Sequence, residues 1–202
     1  GGEVMSVGRT FPESLQKAWQ SLEIGYAGLG ADRPDADRDY VRERLQKPHW
    51  DHLLHVRHAF RYGASVEEVH DVTKIDPWFL HQIQDLVEVE DEMRATALDE
   101  IDADRMRHYK RHGFSDEQIA YLVPDDVDDH AVRDYRKSLQ VTPTFQLVDT
   151  CAGEFPAETP YFYSSYETFN ESEVTSKDKV LILGSGPNRI GQGIEFDYSC
   201  VH

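Results

Sequence analysis

A glycine-rich turn near residue 190 is the part of the sequence best suited to hold a charged ligand. It follows Lys179 and four apolar residues, and it carries Gly184, Gly186, Gly191 and Gly193. The apolar run predicts a buried parallel strand, and the glycines would let the following loop direct backbone amides at an anion. The spacing fits neither the dinucleotide fingerprint nor the P-loop, because Gly191 comes five positions after Gly186 and no Lys-Ser or Lys-Thr pair follows.

A run of histidines is the second feature that could do chemistry. His49, His52, His55 and His58 recur at three-residue steps on a predicted helix, and imidazoles one turn apart can share a zinc ion. Three-residue steps drift about 60° each around a helix, so neighbouring pairs could chelate but all four cannot converge. No cysteine or carboxylate obviously completes a site. We therefore interpret the histidines as solvated or partly packed, and predict no metal ligands, catalytic residues or cofactor-binding residues.

The glycine-rich turn closely resembles a segment of a known enzyme family. Residues 184–202 spell Gly-Ser-Gly-Pro-Asn-Arg-Ile-Gly-Gln-Gly-Ile-Glu-Phe-Asp-Tyr-Ser-Cys-Val-His, which resembles the opening of the second synthetase half of carbamoyl phosphate synthetase large subunits. Residues 2–18 look like the tail of that family's first ATP-grasp unit. Residues 148–155 and 159–167 look like the segment that joins its middle domain to the second half. The resemblance covers essentially the whole chain, and predicts an excerpt from the middle of a longer polypeptide.

The resemblance implies a division into three parts. Residues 1–23 would end the first ATP-grasp unit, residues 24–171 would form a helical oligomerisation domain with its connecting segment, and residues 172–202 would begin the second synthetase unit. In the family, one half makes carbamate from bicarbonate, ammonia and ATP, and the other phosphorylates carbamate. No ATP site would be complete here, so the excerpt itself is expected to be catalytically inert.

Cofactors and partners follow from the same resemblance. The family uses ATP with magnesium or manganese, takes ammonia from a glutaminase small subunit, and serves arginine and pyrimidine biosynthesis. The expected partners of this chain are further copies of itself, bound through the helical domain, and the remainder of the large subunit. By resemblance, Arg189, Gly193 and Glu195 lie near the internal passage that carries carbamate. The alternative is that Arg189 and Glu195 merely fasten the loop to neighbouring strands.

Composition narrows the possible partners. The chain has 38 acidic and 21 basic residues, a formal net charge of −17, and such a surface repels phosphate backbones and anionic lipids. We predict no binding to nucleic acid or to membranes. Spread acid with few lysines suggests adaptation to high salt, although an ordinary acidic cytosolic domain fits equally well. Cys151 and Cys200 show no metal spacing, and no signal segment or membrane span is visible, so a cytoplasmic protein is predicted.

Helical periodicity and helix caps predict a mainly α fold. About eight helices are expected, including those near residues 11–22, 39–46, 49–62, 77–94, 102–112 and 128–139. A helix-turn-helix-like unit is duplicated at an offset of 50 residues, so that Gly63 matches Gly113 and Ser65 matches Ser115. Ser65 and Ser115 begin capping boxes. Residues 25–37 are predicted to be a linker, and extended segments at 141–148 and 161–166 precede the first strand of an α/β domain.

Several aromatic residues are predicted either in the core or at a contact with a second copy of the chain. Trp50, Trp78, Phe79 and Tyr109 are expected in the core. However, Trp78 lies one position off the inward stripe of its helix, and Trp78, Phe60 and Tyr62 are candidate contacts for self-association.

The alternative function is a stand-alone acidic helical interaction module or a divergent helix-turn-helix regulator. DNA binding is disfavoured because the cations of residues 113–137, which are Arg133, Arg136 and Lys137, stand beside five aspartates.

Overall fold

The computed structural model describes residues 4–158 and 161–181, and this part is mainly helical. The result confirms the predicted mainly α fold, with a short antiparallel sheet after the last helix. The elements are α1 Phe11–Ser21, α2 Arg38–Leu45, α3 His52–Arg61, α4 Val66–Thr73, α5 Pro77–Arg94, α6 Ala103–Arg111, α7 Asp116–Leu122, α8 Asp129–Ser138, β1 Thr144–Leu147 and β2 Phe162–Ser165.

Helix caps explain where several of these helices begin. Ser65 Oγ accepts from the amide of Glu68 at 3.2 Å while Glu68 accepts from the amide of Ser65 at 2.8 Å, so the predicted capping box of α4 is present. Ser115 and Gln118 form the same reciprocal pair at the start of α7. The duplicated unit is therefore confirmed at both starts, and each unit is a short helix followed by a longer one.

The core is organised around α5. Ile83, Leu86, Val87 and Met93 are buried, as predicted. Helix α5 contacts α3 and α4, and also α1 and α7. Tyr109 of α6 is fully buried, which confirms its predicted place in the core.

Three aromatic residues predicted in the core lie on the surface instead. Trp50, Trp78 and Phe79 are 68%, 54% and 42% exposed. In the first turn of α5, the inward position is taken by Leu80, which is fully buried. Trp78 and Phe79 therefore project to the side of the helix that faces α1.

The middle of the predicted linker at residues 25–37 is buried, from residue 27 to residue 31, whereas most of residues 33–37 are exposed. Leu29 and Ala31 are 2% and 1% exposed, and the amide of Leu29 donates to Gln16 Oε1 at 2.8 Å. A Cβ on Gly28 would lie 2.3 Å from Gln118 Nε2, so this glycine serves a close approach between segments. The burial of these residues depends on Gln16 of α1, 13 positions before Leu29, and on Gln118 of α7, which is distant in sequence.

The extended segments predicted after α8 form a two-stranded antiparallel sheet. Thr144 of β1 lies opposite Ser165 of β2. The second strand and the residue after it contact two helices: Lys17 Nζ of α1 donates to the carbonyl of Ser164, and Arg111 Nε of α6 donates to the carbonyl of Tyr166 at 3.1 Å. The hairpin thus joins α1 to α6. Val180 and Leu181 are exposed, and the rest of the predicted closing strand lies outside the described residues.

Candidate functional site

Three aromatic side chains from two helices form a surface cluster, which we call the aromatic patch and define as Phe11, Trp78 and Phe79. Trp78 and Phe79 are exposed, and Phe11 is half-buried. The ring centroids of Phe11 lie 5.4 Å from Trp78 and 5.2 Å from Phe79, and those of Trp78 and Phe79 are 5.0 Å apart. All three pairs meet edge to face, the geometry that aromatic rings prefer. The patch is therefore an ordered apolar surface on a strongly acidic chain.

Local helix caps hold the aromatic patch in place. Thr10 caps α1 by accepting from the amide of Glu13 at 3.3 Å, which fixes Phe11 as the first residue of that helix. Asp76 Oδ1 accepts from the amide of Trp78 at 2.8 Å, and Pro77 stands at the first helical position of α5. The first turns of α1 and α5 therefore lie side by side. Rigid aromatic groups of this kind are typical of protein interfaces.

The three aromatic residues predicted for self-association differ in how exposed they are. Trp78 is exposed, but Phe60 is only 6% exposed and belongs to the core. Tyr62 Oη donates to the carbonyl of Ala36, and the guanidinium of Arg38 covers its ring at 4.8 Å. The prediction is wrong for Phe60, because packing inside the chain already uses it, whereas Tyr62 is half-buried and its predicted role stays a prediction. Phe11 and Phe79 were missed, since nothing in the sequence shows that residues 11 and 78 are neighbours.

A buried ion pair ties α3 to α5. Arg57 is fully buried, and its Nε and Nη2 donate to the two carboxylate oxygens of Glu90 at 2.7 Å and 2.6 Å. Asp35 approaches Arg57 Nη1 at 3.4 Å from the preceding segment. This two-point geometry satisfies a charge that would be costly to bury alone. The ion pair holds α3 against α5, and the guanidinium of Arg57 is not free to bind a ligand.

A second ion-pair cluster removes cationic charge from the helix-turn-helix-like surface. Arg136 Nη2 donates to Asp116 Oδ2 at 2.8 Å, and Lys110 Nζ donates to Asp116 Oδ1 at 2.9 Å. Arg136 is only 5% exposed, so one of the three cations that a DNA-binding helix would present is internal. The geometry of this unit therefore argues against recognition of a phosphate backbone.

The histidine run is divided between the interior and the surface. His55 and His58 are 3% and 4% exposed, whereas His49 is exposed. His55 Nε2 lies 3.2 Å from Asp51 Oδ2. Burial lowers the pKa of His58 to about 4, and the neighbouring charge of Arg57 acts in the same direction. Within residues 4–158 and 161–181, no group of three histidine, cysteine, aspartate or glutamate residues is arranged to hold a metal ion.

The residues predicted to line a carbamate passage remain a prediction. Arg189, Gly193 and Glu195 all lie outside the described residues. Among the helices that the structure describes, none is both long and apolar enough to cross a membrane.

Comparison with known proteins supplies two family matches. The model for the carbamoyl-phosphate synthetase large chain, oligomerisation domain, matches residues 3–140. The model for the carbamoyl phosphate synthase preATP-grasp domain matches residues 176–202. The first match contains all eight helices described above, and the second contains the glycine-rich turn.

Individual relatives agree with the family models. The chain is 51% identical over its whole length to a carbamoyl phosphate synthase large chain from Nostoc sp.. It is 52% identical to one from Haemophilus ducreyi and 47% identical to one from Archaeoglobus fulgidus, again over 100% of this chain. The matched region makes up only 18%, 18% and 19% of those three relatives, respectively. The chain thus spans about a fifth of the length of its relatives.

Proposed function

Because the chain belongs to the family of carbamoyl-phosphate synthetase large chains, with its helical part in their oligomerisation domain, we propose that it connects and assembles the synthetase units of such a protein. The observation that carries this proposal beyond the family name is the aromatic patch. The rings of Phe11, Trp78 and Phe79 form an ordered cluster on a chain whose net charge is −17, and Trp78 and Phe79 of that cluster are exposed. Such a cluster favours a binding surface.

The activity that we propose belongs to the whole protein. It would make carbamoyl phosphate from bicarbonate, ammonia released from glutamine, and two molecules of ATP, with magnesium or manganese, for arginine and pyrimidine biosynthesis. A glutaminase small subunit would supply the ammonia, and the assembly would work in the cytoplasm. The names of the relatives support this proposal. The excerpt by itself would be catalytically inert.

The division of the chain is part of the same proposal. Residues 1–23 would close a first ATP-grasp unit, residues 24–171 would form the oligomerisation domain and connecting segment, and residues 172–202 would open the second unit. The match of residues 176–202 to a preATP-grasp domain supports the last part. There Arg189, Gly193 and Glu195 would line a carbamate passage.

The acidic surface would suit a high-salt environment. Carboxylates are spread along the whole chain, and the formal charge is −17. Two copies of so acidic a domain repel each other in dilute buffer, and dissolved salt screens that repulsion. We therefore propose that the chain self-associates at high salt concentration.

Self-association through the aromatic patch is tested by sedimentation of the 202-residue chain in multimolar KCl over a range of protein concentrations. Trp78→Ala should weaken association about tenfold or more, as expected for an aromatic residue at the centre of an interface. Trp50→Ala is the matched control, because Trp50 is even more exposed at 68% and is not part of the patch. Circular dichroism would check that both variants fold.

Three results would contradict this placement of the interface. The chain could remain monomeric at every concentration, or the two tryptophan variants could behave alike. Alternatively, association could survive Trp78→Ala but be lost in Val72→Glu. That outcome would mean that self-association uses the groove between α2 and α4, where Val72 is 49% exposed. The aromatic patch would then contact the rest of the large chain.

A further inference from the structure

The hairpin of β1 and β2 has one covered face and one open face. Phe145 lies opposite Ser164, and Leu147 lies opposite Phe162. Opposed residues of an antiparallel pair point to the same face, so these four side chains share one face. The alternate residues form the other face, which α1 covers: Ser165 is 1% exposed, and its Oγ donates to a carboxylate oxygen of α1 at 3.3 Å.

The open face, which we call the sheet face and define as Phe145, Leu147, Phe162 and Ser164, carries no charged side chain. Phe145 and Phe162 are each 46% exposed, and Leu147 is half-buried. Three apolar side chains thus lie together on one side of a sheet in a chain of net charge −17. An apolar surface in such a setting favours contact with another part of the protein.

The segment after β2 returns to the outer edge of β1. The amide of Phe145 donates to Asn170 Oδ1 at 2.7 Å, and its carbonyl accepts from the amide of Glu171 at 2.9 Å. The amide of Leu147 donates to Glu171 Oε2 at 2.7 Å. Residues 170–171 therefore occupy this edge, and they fix the position from which the following connector begins.

The connector to the next domain is short. The match to the preATP-grasp domain begins at residue 176, five residues after Glu171, and five residues span at most about 18 Å. Neighbouring strands are about 4.8 Å apart, so the start of that domain can reach any part of the sheet face. Helix α1 covers one face of the hairpin, and residues 170–171 occupy the edge of β1. The sheet face is left open to a domain that is attached here.

We propose that the sheet face packs against the preATP-grasp domain that begins at residue 176 in the complete large chain. The inference rests on the proposed function, which makes this chain part of such a protein. Under the proposed division α1 closes the first synthetase unit, so the hairpin is the layer between the first unit and the second. The contact uses no residue of the aromatic patch.

The test is photo-cross-linking in the complete large chain, with p-benzoylphenylalanine in place of Phe145. The cross-linked peptides, identified by mass spectrometry, should come from the domain that begins at residue 176. The matched control carries the same probe in place of Trp50, which is 68% exposed and lies outside the sheet face. The control should give no cross-link to that domain.

A substitution on the same face makes the test sharper. Phe162→Ser should lower the yield of the cross-link from position 145 at least about fivefold, because it removes apolar area from the contact. In the 202-residue chain the same substitution should change the thermal midpoint by less than about 2 °C, because Phe162 is exposed there. The two results together separate a lost contact from a lost fold.

Several outcomes would overturn the proposal. They are the absence of any cross-link from position 145, an unchanged yield in Phe162→Ser, and cross-links to the first synthetase unit or to a second copy. Mixing isotope-labelled and unlabelled chains distinguishes a link within one chain from a link between copies. Sedimentation of Trp78→Ala uses only the 202-residue chain, so failure of the sheet-face contact leaves self-association through the aromatic patch standing.

Discussion

His58 shows how a single side chain is set by its surroundings. It is 4% exposed, and its burial beside Arg57 lowers its pKa from 6.5 to about 4. Its neighbour His55 also has a lowered pKa, chiefly through burial, although Asp51 opposes the shift. Both imidazoles therefore favour the neutral form in the folded chain, and the unfolded chain takes up protons first as the pH falls.

The free energy of unfolding should consequently decrease as the pH falls from about 6.5 to about 4, and the contribution of His58 is fully present above that window. The loss attributable to His58 should be about 2–3 kcal/mol. His58→Gln should remove that part of the pH dependence, measured by urea unfolding at several pH values. His130→Gln, a change at an exposed position, should leave the pH profile unaltered. Identical profiles for the two variants would contradict the assignment.

At the scale of elements, the two copies of the duplicated unit are alike in sequence but differ in what surrounds them. Gly63 and Gly113 both take the left-handed conformation, at φ of 81° and 83°. A Cβ on Gly63 would meet nothing within 4 Å, whereas one on Gly113 would lie 2.8 Å from Gln16 Cβ and 3.0 Å from Glu13 Cα. The second turn alone lies against α1.

Alanine at these two glycines should therefore have unequal effects. Gly63→Ala should cost about 1–2 kcal/mol, the strain of a left-handed residue with a side chain. Gly113→Ala should cost about 1–3 kcal/mol more, because α1 must move to admit the methyl group. Urea unfolding of both variants in the same high-salt buffer measures the difference. Equal losses would mean that α1 does not pack on this turn in solution.

Features that depend on nearby residues were predicted well from the sequence. The bounds of α5 and the caps at Ser65, Asp76 and Ser115 follow from side chains that bond to amides two or three residues away. The main errors concern burial. Leu29 was assigned to a linker and Trp50 to the core, because exposure is decided by elements that are distant in sequence. The same reason hid Phe11 from the predicted contact residues.

At the scale of the whole molecule, charge dominates the expected solution behaviour. The net charge of −17 is offset locally by buried pairs such as Arg57 with Glu90 and Arg136 with Asp116. The remaining carboxylates are largely on the surface, where they repel one another. Salt screens exposed charges and has much less effect on buried pairs.

Thermal stability should therefore rise with added KCl. The midpoint should increase by about 5 °C or more between dilute buffer and 1 M KCl, since the Debye length then falls to about 3 Å. Most of the rise should come below 1 M, which distinguishes screening from general salt effects that continue to grow. Circular dichroism at low protein concentration avoids a contribution from association. A midpoint that stays flat or falls would count against adaptation to high salt.

The central claim is that this helical part of a synthetase large chain assembles through the aromatic patch, and hydrogen exchange measured at low and high protein concentration in multimolar KCl tests it most directly. As the chain associates, amides near Phe11 and in the first turn of α5 should become slower to exchange, while those of α2 and α4 should not change. Protection that appears in the groove between α2 and α4, or from Lys179 onward, with no change at the patch, would contradict the claim.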